Sequence, residues 1–158
     1  MAEAILTGKE IAQMAVAIEE RGAVFYTQAA QNFKEQKISQ TFLKLAEEEK
    51  EHARFFRKLF EGLKEENTPF NPQAVKYIKS ILESTVFPQV GPDNNHLAGI
   101  EAPEQALHLG IQAEKDAILF YQELYENTAD ENARGVLSKL LEEEKMHLVD
   151  LRSYLEEI

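Results

Sequence analysis

The sequence predicts an all-α fold, a four-helix bundle built as two helical hairpins joined by a long crossover that contains a short helix. Three observations carry this. Helix formers dominate the 158 residues, and seven glycines and five prolines leave few places to break a helix. The chain repeats itself: residues 18–26 align without a gap on 113–121, and 45–52 on 140–147, so that Glu19 and Glu114, Glu49 and Glu144, and His52 and His147 all stand 95 positions apart. Between the copies, residues 67–102 carry Pro69, Pro72, Pro88 and Pro92, a connection too long for a simple turn.

Each element follows from its caps and periodicity. Thr7 with Glu10 makes a capping box that opens the first long helix, which runs to about residue 33. Ser39 is the expected cap of the second, which runs to about residue 63. A short helix is expected over 73–85 in the crossover. Pro103 suits the first turn of the third long helix, which fades near Asn127. Asp130 caps the last, which reaches almost to residue 158. The length suits one domain over 1–158 with a real core.

The totals exclude several functions. With no cysteine there are no disulfides, thiolate zinc sites or cysteine nucleophile. A net charge of −11 disfavours nucleic acid and anionic membranes as partners. No apolar run is long enough to span a bilayer, and the first residues lack the pattern of a secretion signal, so a cytoplasmic location is expected.

The apolar stripes are interrupted by charge. In the second long helix Phe42, Leu45, Phe56, Leu59 and Leu63 form a stripe whose missing members are Glu49 and His52. In the last, Leu137, Leu140, Leu151 and Ile158 form another that Glu144 and His147 complete. Glu114 sits among Leu107, Gly110, Ala117, Tyr121 and Leu124, and Glu19 among Ala15, Gly22 and Tyr26. Burying a lone carboxylate costs several kcal/mol or more, so such groups must be paired or bound to metal. No lysine or arginine lies on these stripes near the six. Two histidines acting as ligands are neutral, so two dications would balance the four glutamates.

Register agrees. Glu19 and Glu49 are equidistant from Lys34 in the first turn region, and Glu114 and Glu144 from Ala129 beside the Asp130 cap. Antiparallel helices joined there bring each glutamate level with its partner. In each Glu-x-x-His the two side chains share a face one turn apart and can reach one site. An oxygen and nitrogen donor set suits iron or manganese better than metals that prefer thiolates. Tyr26 and Tyr121, two turns after Glu19 and Glu114, are explained equally by a hydroxyl reaching a ligand carboxylate or by packing. Glu47, Glu48, Glu142 and Glu143 point elsewhere and are expected to be solvated. His96 and His108 lack repeat partners and read as ordinary polar residues.

The order Glu, Glu-x-x-His, Glu, Glu-x-x-His over four helices resembles the ferritin-like di-iron carboxylate superfamily, and within it rubrerythrin-like proteins that lack the rubredoxin domain. The likeness covers nearly the whole chain and implies a ferritin-like bundle holding two iron ions, with manganese or zinc as alternatives. It implies Glu19 and Glu114 as terminal ligands, Glu49 and Glu144 as bridges, and His52 and His147 as one further ligand for each metal. It further implies reduction of peroxide or dioxygen with electrons from an external donor protein, in a homodimer. A ferroxidase or iron-storage protein and a structural metal-stabilised bundle are the alternatives. The likeness departs at Gly22 and at Ala117, where rubrerythrin proper carries an additional carboxylate one turn after the third-helix glutamate. Lys50 stands where bacterioferritin has its haem-binding methionine.

Overall fold

Thr7 opens the first helix with the expected reciprocal pair: its Oγ1 accepts from the Glu10 N–H at 3.2 Å, and Glu10 Oε2 accepts from the Thr7 N–H at 2.8 Å. The computed structural model describes residues 7–61, 70–83 and 99–158. Among these are five helices: α1 (Gly8–Asn32), α2 (Gln36–Glu61), α3 (Pro72–Glu83), α4 (Pro103–Glu126) and α5 (Glu131–Glu157). The expected end of α2 near Leu63, together with Pro69, Thr85, Pro88, Pro92 and His96, lies outside the described residues.

Only residues 33–35 separate α1 from α2, so two helices of 25 and 26 residues must reverse and pack antiparallel. The sequence expectation for the α2 cap is corrected here. Glu35, not Ser39, satisfies the free N–H groups at the start of α2: its carboxylate accepts from Lys37 N at 3.3 Å and Ile38 N at 3.2 Å. Ser39 lies one turn inside the helix and donates its hydroxyl to the Ala30 carbonyl at 3.0 Å, stitching α2 to the end of α1.

The second hairpin forms as the sequence predicts. Pro103 takes the first turn of α4. Ala102 cannot cap with its methyl, and the Gln105 amide oxygen accepts instead from the N–H groups of Glu101 and Ala102, at 2.8 and 3.2 Å. Asp130 caps α5 by accepting from Ala133 N at 2.9 Å. Arg134 donates to the carbonyls of Tyr125 and Thr128 at 2.9 and 3.2 Å, tying off the last turn of α4. The short α3 buries Ala74, Val75, Ile78 and Ile81 and packs on α4.

The core sits where the two hairpins face each other. Phe25, Tyr26, Phe42, Phe56, Phe120 and Tyr121 are its largest fully buried side chains. Each such burial stabilises by about 1.5–3 kcal/mol. Leu59 is only partly buried against this core, and Ile158 is a correction. It is 55% exposed at the C-cap of α5, where the chain has left the helix and with it the buried stripe. None of the described helices is long and apolar enough to cross a membrane.

Candidate metal centre

Glu19 on α1, Glu49 and His52 on α2, Glu114 on α4, and Glu144 and His147 on α5 converge in the middle of this core. The four glutamates are each 1% exposed and the two histidines 2%. Donor atoms of Glu19, Glu49, His52 and Glu144 all lie within 4.8 Å of one another, as do those of Glu49, Glu114, Glu144 and His147. The two groups share Glu49 and Glu144. Helical periodicity alone explains why the side chains point here, since each occupies a place that its stripe reserves for an apolar residue.

The histidines present their Nδ1 atoms to the carboxylates. His52 Nδ1 lies 3.0 Å from Glu144 and 3.6 Å from both Glu19 and Glu49. His147 Nδ1 lies 3.0 Å from Glu144, 3.2 Å from Glu49 and 3.5 Å from Glu114. The rings stack with centroids 5.4 Å apart.

Their outer nitrogens meet two residues that the sequence reading had assigned to solvent. His52 Nε2 is 2.7 Å from Glu143, and His147 Nε2 is 2.6 Å from Glu48. A stripe drawn on one helix leaves Glu48 and Glu143 off the buried face, but the facing helix is close enough for their carboxylates to reach across. Their repeat at the constant offset was the available signal. For Glu47 and Glu142 the expectation of solvation holds, since both are exposed and pair with Lys50 and Lys145. His108 is exposed, as an ordinary polar residue should be.

The tyrosine hydroxyls reach carboxylates, and they do so across the bundle. Tyr26 donates to Glu114 at 2.7 Å and Tyr121 to Glu19 at 2.5 Å. Burial, reinforced by these glutamates, pushes both phenols well above their ordinary range.

The electrostatics divide the cluster in two. Burial alone would raise Glu19, but the adjoining Glu49 and His52 outweigh it and hold the carboxyl at about 2. Glu114 is likewise lowered, burial being overcome by His147 and Glu144. Glu49 and Glu144 go the other way, raised by burial and then by the charges of the surrounding carboxylates. Burial opposes charge on His52 and His147, yet the carboxylates around them raise both. These shifts all run toward charge balance, favouring neutral carboxyls at Glu49 and Glu144, ionised ones at Glu19 and Glu114, and protonated imidazoles.

Protons do not satisfy it completely. The Oε2 atoms of Glu19 and Glu144 are fully buried and receive no well-aligned hydrogen bond, although imidazole nitrogens stand 3.6 and 3.0 Å from them. Orphaned carboxylate oxygens beside two imidazole nitrogens are what a dication with oxygen and nitrogen preferences would engage, so the residues present fit a metal site.

Comparison with known proteins agrees. The Rubrerythrin family model matches residues 10–155. The chain belongs to the rubrerythrin family. A crystal structure from Thermotoga maritima, described as a ferritin-like diiron-carboxylate protein, is similar over 99% of both chains, with 27% identity and a TM-score of 0.75. A hypothetical protein from Pyrococcus furiosus shares the fold over 94% of this chain and 87% of its own, at 24% identity and a TM-score of 0.71. No curated protein matches. The ferritin-like bundle inferred from sequence is therefore the fold of this rubrerythrin-family chain, and the family together with the buried Glu/His cluster points to metal binding.

Proposed function

We propose that the cluster holds two metal ions, iron foremost, and that the protein reduces peroxide or dioxygen there with electrons from a separate donor protein. The observation that carries this is the pair of four-residue groups sharing Glu49 and Glu144. On this reading Glu49 and Glu144, common to both groups, would be shared by the two ions, Glu19 and Glu114 would each hold one, and His52 and His147 would each complete one through Nδ1. Four carboxylates balance two dications, which meets the charge requirement of so buried a site.

When bound, such a metal pair would supply two electrons side by side, which together with two protons reduce peroxide to two waters. The chain supplies the rest. The hydroxyls of Tyr26 and Tyr121 fix the planes of the Glu114 and Glu19 carboxylates. Phe42, Phe56 and the tyrosine rings line the core and keep bulk water out. Ala117, buried one turn after Glu114, adds no donor where rubrerythrin proper has a further carboxylate, and buried Gly22 holds the equivalent place after Glu19; side chains this small would leave coordination room for an oxidant. A homodimer in the cytoplasm completes the proposal.

Anaerobically reduced, iron-loaded protein is mixed with peroxide or with dioxygen, and turnover is followed with an added reductant. Rapid oxidation and repeated turnover are expected. Iron-loaded protein whose spectrum never changes with either oxidant rules the enzyme out. Ferrous iron that is consumed and retained as mineral in a large shell on size-exclusion chromatography identifies an iron-handling protein instead.

A further inference from the structure

The glutamate triplets at 47–49 and 142–144 divide their work in the same way in both hairpins. The first member pairs with lysine at the surface, Glu47 with Lys50 at 2.8 Å and Glu142 with Lys145 at 2.9 Å. The third, Glu49 or Glu144, enters the carboxylate cage. The second, Glu48 or Glu143, meets the outer nitrogen of the histidine on the opposite helix. Side-chain exposure follows this order: 68% and 72% for the first members, 34% and 40% for the second, and 2% and 1% for the third.

We infer that Glu48 and Glu143 are positioning residues of the centre, each fixing which nitrogen of the opposite histidine faces the cage and placing a carboxylate behind that ring. This rests on the two-metal reading above. A carboxylate accepts and does not donate, so at 2.6–2.7 Å the partner Nε2 must carry the hydrogen. Nδ1, turned toward three carboxylates on each ring, is then the nitrogen that would give up its proton to a metal and serve as the lone-pair donor. A carboxylate on the far nitrogen also makes the imidazole a stronger donor and holds the ring in one orientation. Neither residue can be a metal ligand in this arrangement, because the whole imidazole lies between it and the cage. Both line an open groove of about 420 Å³ between α2 and α5, so their carboxylates keep contact with water while gripping the buried rings.

The bracing is crossed. Glu143 holds the histidine of the first hairpin and Glu48 that of the second, so each variant should act mainly on one of the two metals.

The experiment compares wild type with E143A, E143Q, E48A and E48Q as full-length proteins. Metal content by elemental analysis and zinc affinity by titration come first. Side-chain nitrogen NMR of the zinc-loaded proteins then reports which histidine nitrogen binds, and the midpoint potential is measured on the iron-loaded forms. Wild type is expected to bind two zinc ions through Nδ1 with Nε2 protonated. Each alanine variant should lose about 10–100-fold in affinity for one of the two ions. The glutamine variants, whose amide oxygen still accepts from Nε2–H, should keep the tautomer, recover most of the affinity and shift the potential upward. The glutamine series also guards against alanine variants that fail to fold. Alanine variants that fold and match wild type in affinity and potential overturn this assignment alone, as does ligation through Nε2. Wild type that takes up no metal overturns the two-metal reading together with it.

Discussion

Tyr26 on α1 donates its hydroxyl to Glu114, 88 positions away on the other hairpin, at 2.7 Å. Its repeat partner Tyr121 returns the contact to Glu19 at 2.5 Å. Glu114 and Glu19 therefore each depend on a phenol from the opposite half of the molecule. Hydrogen bonds to charged groups contribute about 1.5–3 kcal/mol. Tyr26→Phe and Tyr121→Phe should each lower the stability of the metal-free protein by about that amount in urea unfolding. The double variant should depart from additivity, because both bonds serve one cluster.

The four cage glutamates should not respond alike to removal of charge. Glu49 and Glu144 are raised by burial and by neighbouring carboxylates, the direction that favours the neutral form without metal. Glu49→Gln and Glu144→Gln should leave metal-free stability nearly unchanged while abolishing uptake of the second ion. Glu19, held at about 2, is ionised, and Glu19→Gln should cost stability as well as metal. Chemical unfolding with and without metal, alongside elemental analysis, separates these outcomes.

Metal binding should release protons. His52 and His147 are raised by the surrounding carboxylates, and Glu49 and Glu144 by burial, shifts that favour the protonated form a metal would have to displace. Titrating a dication into weakly buffered protein near neutrality should acidify the solution by up to about four protons per two ions. Apparent affinity should fall as pH falls, because raised pKa values extend proton competition upward. Chelation should lower the melting temperature in proportion to the binding free energy. Uptake of metal with no proton release would contradict the protonation pattern.

Gly110 on α4 makes room for the Tyr26 phenol. A methyl there would lie 3.2 Å from the Tyr26 hydroxyl and 3.3 Å from Leu151, both fully buried and unable to retreat freely. Alanine gains about 1 kcal/mol of helix propensity over glycine, against overpacking costs of about 1–3 kcal/mol. Gly110→Ala should therefore be destabilising on balance and should perturb the Tyr26–Glu114 bond. Gly135 on α5 has nothing within 4 Å of the same methyl, and Gly135→Ala should stabilise by up to about 1 kcal/mol. Thermal melts of the two variants should move in opposite directions.

A third tyrosine bond gives a pH signature away from the centre. Tyr154 on α5 donates to Glu35 at 2.8 Å. Burial and this contact push the phenol up to about 12, while Tyr154 and the backbone N–H groups of Ile38 and Lys37 lower Glu35. The raised phenol contributes stability that is complete below its ordinary value of 10 and lost as pH climbs through about 12. The lowered carboxyl contributes stability present above 4.5 and lost as acid protonates it below that. Tyr154→Phe should be less stable than wild type between these limits, and the gap should narrow at both extremes.

Much of this was legible in the sequence, for identifiable reasons. Thr7, Pro103 and Asp130 act through neighbours three residues away or fewer, so their caps could be read locally. Glu19, Glu49, Glu114 and Glu144 interrupt apolar stripes, and a stripe reports burial whatever the partner. The features missed depend on what the facing helix brings. Ser39 has the chemistry of a cap, but its hydroxyl is taken by Ala30 and Glu35 does the work. Glu48 and Glu143 fall outside any stripe on their own helices and become partly buried only because a histidine from the other hairpin lies within 2.7 Å. The direction of the tyrosine bonds was hidden for the same reason, since the spacing of Tyr26 from Glu19 says nothing about Glu114.

Every one of these ties crosses between the halves: phenol to carboxylate twice, and carboxylate to imidazole twice. A chain cut in the crossover would part each phenol from its carboxylate and each imidazole from the carboxylate behind it. What one hairpin lacks is what its repeat offers, so a half-length ancestor pairing with its own twin would have met the same complement of contacts. Duplication and fusion would then have joined what association had already assembled, leaving later divergence, such as Glu51 against Met146, free to make the two sides unequal.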